Sequence, residues 1–116
     1  MNAVQPQSLR VAPSWRRGLR VWLAEHDLSI GDIAEQASTE FLARDHGATI
    51  YVPPPSGEQR VSFSVPDELH ARITAMVHDT NPPPLWSHGI RSLRDFYLVA
   101  LDLHIRSASC LDPQQV

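Results

Sequence analysis

Lysine is absent from this chain, and cysteine occurs only once, at Cys110. A single thiol excludes an internal disulfide and a cysteine-rich zinc site, so we expect a reducing, cytoplasmic compartment. Long hydrophobic runs are also missing, because Asp102 interrupts the most apolar stretch, residues 96–103, and we therefore expect no membrane partner. The sequence has no glycine-rich phosphate loop and no nucleophile–base motif, and its six histidines are scattered. We predict that the protein is not an enzyme and uses no metal or cofactor.

The charge of the chain is unevenly distributed. The 116 residues carry a net charge of −3, whereas nucleic-acid-binding domains are usually basic. All ten basic residues are arginines, however, and four of them lie close together with no acidic residue between them: Arg10, Arg16, Arg17 and Arg20. This cluster indicates a local basic surface on an acidic chain. For Arg16, Arg17 and Arg20, a solvated helix face without a specific partner is the alternative.

Proline and glycine divide the chain into two halves. Residues 46–59 contain three consecutive prolines followed by Ser-Gly, a composition that favours extended backbone and a turn. We interpret them as a linker, within which residues 48–52 could form a short strand. On either side, the same order of one strand and two helices is predicted, for residues 8–45 and again for residues 60–106. Residues 1–7 and 107–116 lack periodicity and are predicted to be flexible tails. Each half is too small to bury its own apolar faces, so the two are expected to share one core.

The repeat is supported by apolar positions that recur at a constant spacing. Residues 60–65 alternate between apolar and polar side chains, as a strand with one buried face does, and Pro66 and Asp67 then begin a helix. When Ser8 is aligned with Ser62, an offset of 54 residues, the apolar positions of the first strand and helix coincide with those of the second. For the second helices the best offset is 56 residues, which places the start of the last helix near Ser87.

The segment RVSFSVPDELHARITAMV, residues 60–77, resembles the ribbon-helix-helix family of bacterial and phage DNA-binding proteins. Most members are homodimers with one repeat per chain, and a chain with two repeats resembles the tandem members among accessory proteins of conjugation and plasmid DNA transfer. The first repeat departs from the pattern, because Ala12 replaces the proline and Trp15 the usual leucine. The resemblance implies a mainly α (α+β) fold in which a two-stranded antiparallel ribbon lies on four helices as a single-chain pseudo-dimer.

The same resemblance implies a function for the polar face of the ribbon. The family places its ribbon in the major groove of double-stranded DNA, where each base pair presents a distinct set of hydrogen-bonding groups. Because Val61, Phe63 and Val65 must face the core, alternate residues are predicted to read bases: Ser8, Arg10, Arg60, Ser62 and Ser64. The residues predicted to contact phosphates are Ser29 and Gly31, Ser87 and His88 at the starts of the second helices, together with Arg16 and Arg17. The expected role is that of a transcriptional repressor or a plasmid-transfer (relaxosome) accessory protein, acting beside further copies of itself on adjacent sites.

Two other functions are compatible with the sequence. Residues 28–44 could form a helix-turn-helix that binds DNA, although Ser38 stands where a turn glycine is favoured, and Glu40 and Asp45 would face phosphates. Alternatively, the acidic chain is a helical protein-interaction module, such as an antitoxin or an adaptor, that does not bind DNA.

Overall fold

The computed structural model describes residues 4–44, 46–79 and 85–110. In chain order its elements are strand β1 (Val4–Val11), helix α1 (Pro13–His26), helix α2 (Ile30–Ala43), strand β2 (Gln59–Pro66), helix α3 (Asp67–Thr74), a π-helical turn (Ala75–Asp79), a 3₁₀ turn (Trp86–His88) and helix α4 (Leu93–Cys110). None of the helices in the described part of the chain is both long and apolar enough to cross a bilayer.

β1 and β2 form a two-stranded antiparallel ribbon. The two predicted strands pair antiparallel within one chain: residues 8–11 lie opposite residues 59–62, with Ser8 opposite Ser62, and the pairing continues as far as Val4 with Pro66. Alternate residues point inward and are buried, among them Leu9, Val61 and Phe63. The period-2 pattern of the sequence therefore identified the buried face of both strands.

The fold class predicted from the sequence is wrong. The described residues form an α+β fold with one two-stranded sheet and four α-helices, not a mainly α pseudo-dimer built from two equivalent repeats. There is one ribbon, to which each half contributes a strand, and the helices of the two halves differ. α1 runs for 14 residues without interruption, whereas α3 has eight residues and passes into a π-helical turn.

The last helix also begins later than predicted. Residues near Ser87 form the 3₁₀ turn, and α4 begins at Leu93. Ser92 caps this helix, because its side-chain hydroxyl accepts a hydrogen bond from the backbone amide of Asp95 (3.1 Å). Ser29 caps α2 in the same way, so the two caps are 63 residues apart, not 56. The difference of seven residues is about two helical turns, which leaves the apolar face of a helix unchanged. Periodicity alone cannot detect such a shift.

The predicted tails and linker are more ordered than expected. Residues 4–7 belong to β1, residues 107–110 continue α4, and Gln59 already belongs to β2. Within the predicted linker, Tyr51 is buried against Phe41, with ring centroids 5.1 Å apart. Its amide donates to the carbonyl of His88 at 2.8 Å, so the aromatic side chain and this bond hold the segment on the helices. Asp45, residues 1–3 and residues 111–116 lie outside the described part of the chain.

The core lies beneath the ribbon and is formed by all four helices. Its buried side chains come from both strands and from each helix; they include Leu9, Leu19, Phe41, Phe63, Leu69, Ile73 and Tyr97. Leu23 and Leu93 are only partly buried. Of the three tryptophans, Trp22 is buried and Trp15 is partly buried. Trp86 lies at the surface, 48% exposed, with the guanidinium of Arg91 5.2 Å from its ring.

Two glycines provide a test of this packing. A Cβ at Gly57 would collide with the backbone of Val11 and Ala12, whereas a Cβ at Gly18 meets nothing within 4 Å. We therefore expect Gly57→Ala to lower the free energy of unfolding by about 1–3 kcal/mol, as overpacking does. Gly18→Ala, in the middle of α1, should raise it by about 0.5–1 kcal/mol. Urea denaturation measures the change in the free energy of unfolding for each variant. Equal changes for the two substitutions would contradict the close approach of residue 57 to β1.

Candidate nucleic-acid interface

The outward face of the ribbon includes three rows of exposed residues. All five predicted base-reading side chains are exposed, and the register groups them with one further residue, Pro6. Arg10 lies opposite Arg60, Ser8 lies opposite Ser62, and Pro6 lies opposite Ser64. Beyond this last row the face ends in Val4, which is 54% exposed and lies opposite Pro66.

The arginine row concentrates positive charge. Residues directly opposite each other in an antiparallel pair have Cβ atoms about 4.5–5.5 Å apart, and like charges in such pairs are destabilising. Within the part of the chain that the structure describes, no carboxylate forms an ion pair with Arg10 or Arg60. The charge of this row is therefore available to an external anion.

Two further arginines flank the row, one at each edge of the ribbon. Arg16 donates through Nε to the backbone carbonyl of Arg60 at 3.3 Å. Arg94 donates through Nη2 to the carbonyl of Arg10 at 3.4 Å and to that of Pro54 at 3.3 Å. Arg94 is also 3.5 Å from a carboxylate oxygen of Asp95, so its charge is partly compensated. Arg16, predicted as a phosphate ligand, thus also supports the strand edge.

Arg94 was missed by the sequence analysis. Its place beside β1 follows from the start of α4 at Leu93, whereas the repeat pattern predicts that start near Ser87. The signal that could have located it is Ser92 followed three residues later by Asp95, a common pattern at helix N-termini.

The other predicted phosphate ligands divide into two groups. Arg17 is exposed on α1, and Ser29 and Gly31 open α2 as expected. A Cβ at Gly31 would lie 3.8 Å from the carbonyl oxygen of Ser64, which places the start of α2 beside the far end of β2. Ser29 and Gly31 therefore lie beside the edge of β2.

Ser87 and His88 do not open a long helix, contrary to the prediction. They belong to the 3₁₀ turn, and Nδ1 of His88 is 2.6 Å from the carbonyl oxygen of Thr49. The prediction failed because Ser92, not Ser87, caps the following helix.

The end of the ribbon opposite the arginines is acidic. Asp67 and Glu68 are exposed in the first turn of α3, directly after the last residue of β2. The Asp67 carboxylate accepts a hydrogen bond from the Gln5 side chain on β1. The two ends of the ribbon therefore differ in the charge beside them, and the Asp67 carboxylate is held toward the inward side of β1 by Gln5, which shares the strand face of Leu9.

Tyr97 of α4 joins the ribbon and α3 through two contacts of its side chain. The hydroxyl of Tyr97 lies 2.9 Å from Nδ1 of His70, and the Tyr97 ring packs edge-on against Phe63 with centroids 5.4 Å apart. Burial raises the pKa of Tyr97 to about 12, so the phenol stays neutral near pH 7. These contacts fix the inward face of β2 and hence the direction of its outward residues.

The helix-turn-helix alternative lacks its turn. Ile30–Ala43 is one uninterrupted helix, and Ser38, where the turn was expected, is buried inside it. Residues 28–44 therefore do not provide two helices at an angle to each other.

No protein-family model, no curated protein and no solved structure matches this chain. We therefore infer the function of the protein from the geometry of the ribbon.

Proposed function

We propose that this protein binds double-stranded DNA by placing the outward face of its ribbon in the major groove. The observation that carries the proposal is the arginine row: Arg10 and Arg60 lie opposite each other, exposed and without a carboxylate partner among the described residues. Such a pair costs stability in the free protein and becomes favourable when an anionic or acceptor-rich partner lies between the two side chains.

DNA supplies that partner in a form that fits the ribbon. The major groove admits a two-stranded ribbon, and its guanines present O6 and N7, which one guanidinium can contact with two hydrogen bonds. The serine row can donate to or accept from either type of base pair. The net charge of −3 does not oppose this, because a local basic field can steer association even when the whole chain is acidic.

The biological role follows from this activity. A cytoplasmic protein that reads a DNA site would act as a transcriptional repressor or as an accessory protein of plasmid transfer, with further copies on adjacent sites. Membership of the ribbon-helix-helix family, suggested by residues 60–77, belongs to the same proposal. A protein-interaction module, the alternative function, would show no salt-dependent affinity for DNA.

The salt dependence of binding tests the proposal. A fluorescent duplex of about 20 base pairs, titrated at several salt concentrations, should show an affinity that falls by about 0.9 log units per log unit of salt for each phosphate contact. Arg17→Ala should weaken binding to all sequences alike and reduce this slope by about one contact. Arg44→Ala is the matched control, since Arg44 follows the C-terminal end of α2, about 20 Å along the helix from Ser29. Absence of binding at low salt would contradict the proposal.

The arginine row also predicts an effect on the free protein. Arg10→Gln keeps much of the side chain but removes one of two opposing charges, so the free energy of unfolding should rise by about 0.2–1 kcal/mol at low salt. The gain should shrink as salt screens the repulsion. Thermal denaturation at low and high salt measures it, with Arg44→Gln as the control. A loss of stability in Arg10→Gln would show that the row has a structural role instead.

A further inference from the structure

We infer that the DNA site of this ribbon is directional, with guanine recognition confined to one end, where Arg10 and Arg60 read neighbouring base pairs. The inference rests on the proposed function and specifies its substrate. It follows from the register, because the two arginines occupy the same row and not opposite ends of the ribbon.

The dimensions of the ribbon set the expected spacing of the contacts. Cβ atoms in one row are about 4.5–5.5 Å apart, and successive base pairs are about 3.4 Å apart along the DNA axis. The two arginines should therefore contact guanines that are one or two base pairs apart. Successive rows are two residues apart, or about 6.7 Å, so the three rows cover about four to five base pairs.

The far end of the ribbon is unsuited to reading guanine. Pro6 has no side-chain donor, and Ser64 offers only a hydroxyl. Beyond this row the ribbon ends in the apolar pair of Val4 with Pro66, and the first turn of α3 then adds the negative charges of Asp67 and Glu68. Strong contacts are thus expected at the arginine end and weak sequence preference at the other.

Neither arginine is matched by an arginine at the other end of the ribbon. In the observed register the residue that corresponds to Arg10 across the central pair, Ser8 with Ser62, is Ser64, and the one that corresponds to Arg60 is Pro6. Each arginine therefore has a non-arginine counterpart at the other end.

Selection of bound duplexes from a random pool, with the wild type and an exchange variant, tests the inference. The wild type should select two guanine positions within one or two base pairs at one end of the motif. The double variant Arg10→Ser with Ser64→Arg keeps composition and net charge but moves one guanidinium to the opposite end. One guanine preference should then appear about four base pairs away from the other. Arg10→Ser alone should reduce discrimination at one position by about 5- to 150-fold.

The contrary outcomes are distinct. A palindromic wild-type motif, guanines separated by about four base pairs in the wild type, or an unchanged motif in the exchange variant would overturn the directional site and leave DNA binding intact. Absence of any selected or non-specific binding by the wild type would overturn the proposed function as well. Thermal melting of each variant establishes that it is folded before its motif is compared.

Discussion

Replacing Phe63 with alanine is expected to lower the free energy of unfolding by about 3–5 kcal/mol. Phe63 lies on the inward face of β2, is 7% exposed, and packs edge-on against Tyr97. Its truncation removes buried apolar surface and leaves a cavity between the ribbon and α4. Because the ribbon has only two strands, it depends on this contact with the helices for its stability.

Urea denaturation of Phe63→Ala and of Ser64→Ala compares their free energies of unfolding with that of the wild type. Ser64→Ala changes the next residue of the same strand, on the outward face, and should alter the free energy of unfolding by no more than about 0.5 kcal/mol. If Phe63→Ala were neutral and Ser64→Ala strongly destabilising, the register would be displaced by one residue, which would exchange the two faces of the strand.

Removing both arginines of the outward row is expected to abolish sequence-specific DNA binding. Arg10→Ala and Arg60→Ala should each cost about 1–3 kcal/mol of binding free energy for the preferred duplex. The double variant should bind the preferred and scrambled duplexes with similar, salt-dependent affinity, because phosphate contacts such as that of Arg17 remain. Competition titrations with the two duplexes measure the ratio of affinities.

Arg44→Ala serves again as the control, and it should leave that ratio unchanged. If specific binding survived the loss of both Arg10 and Arg60, the ribbon would not be the surface that reads DNA. The reading surface would then have to be sought on the helices.

The local period of the sequence predicted the two faces of the ribbon. Alternation in residues 60–65 places Phe63 inward and Ser62 outward, because successive side chains of a strand point to opposite faces. Proline followed by polar residues marked the starts of α1 and α3 at Pro13 and Asp67. Exposure of the five predicted base-reading residues follows from the same alternation.

What the sequence did not predict depends on contacts between distant residues. The pairing of Arg10 with Arg60 is a property of the register, and Arg94 reaches β1 only because α4 starts at Leu93. The start of α4 was misplaced because a shift of seven residues preserves the helical apolar face. Tyr51 was assigned to a linker because three prolines follow it closely, yet its burial against Phe41 anchors the segment.

Methylation interference on the selected duplex tests the central claim most directly. Methylation of guanine at N7 blocks an acceptor that lies in the major groove, whereas methylation of adenine at N3 modifies the minor groove. We expect N7 methylation to block binding at the guanines of one end of the site, and Arg10→Ala to remove the effect at one of them. Binding that is insensitive to N7 methylation but blocked by N3 methylation of adenine would contradict the insertion of the ribbon into the major groove.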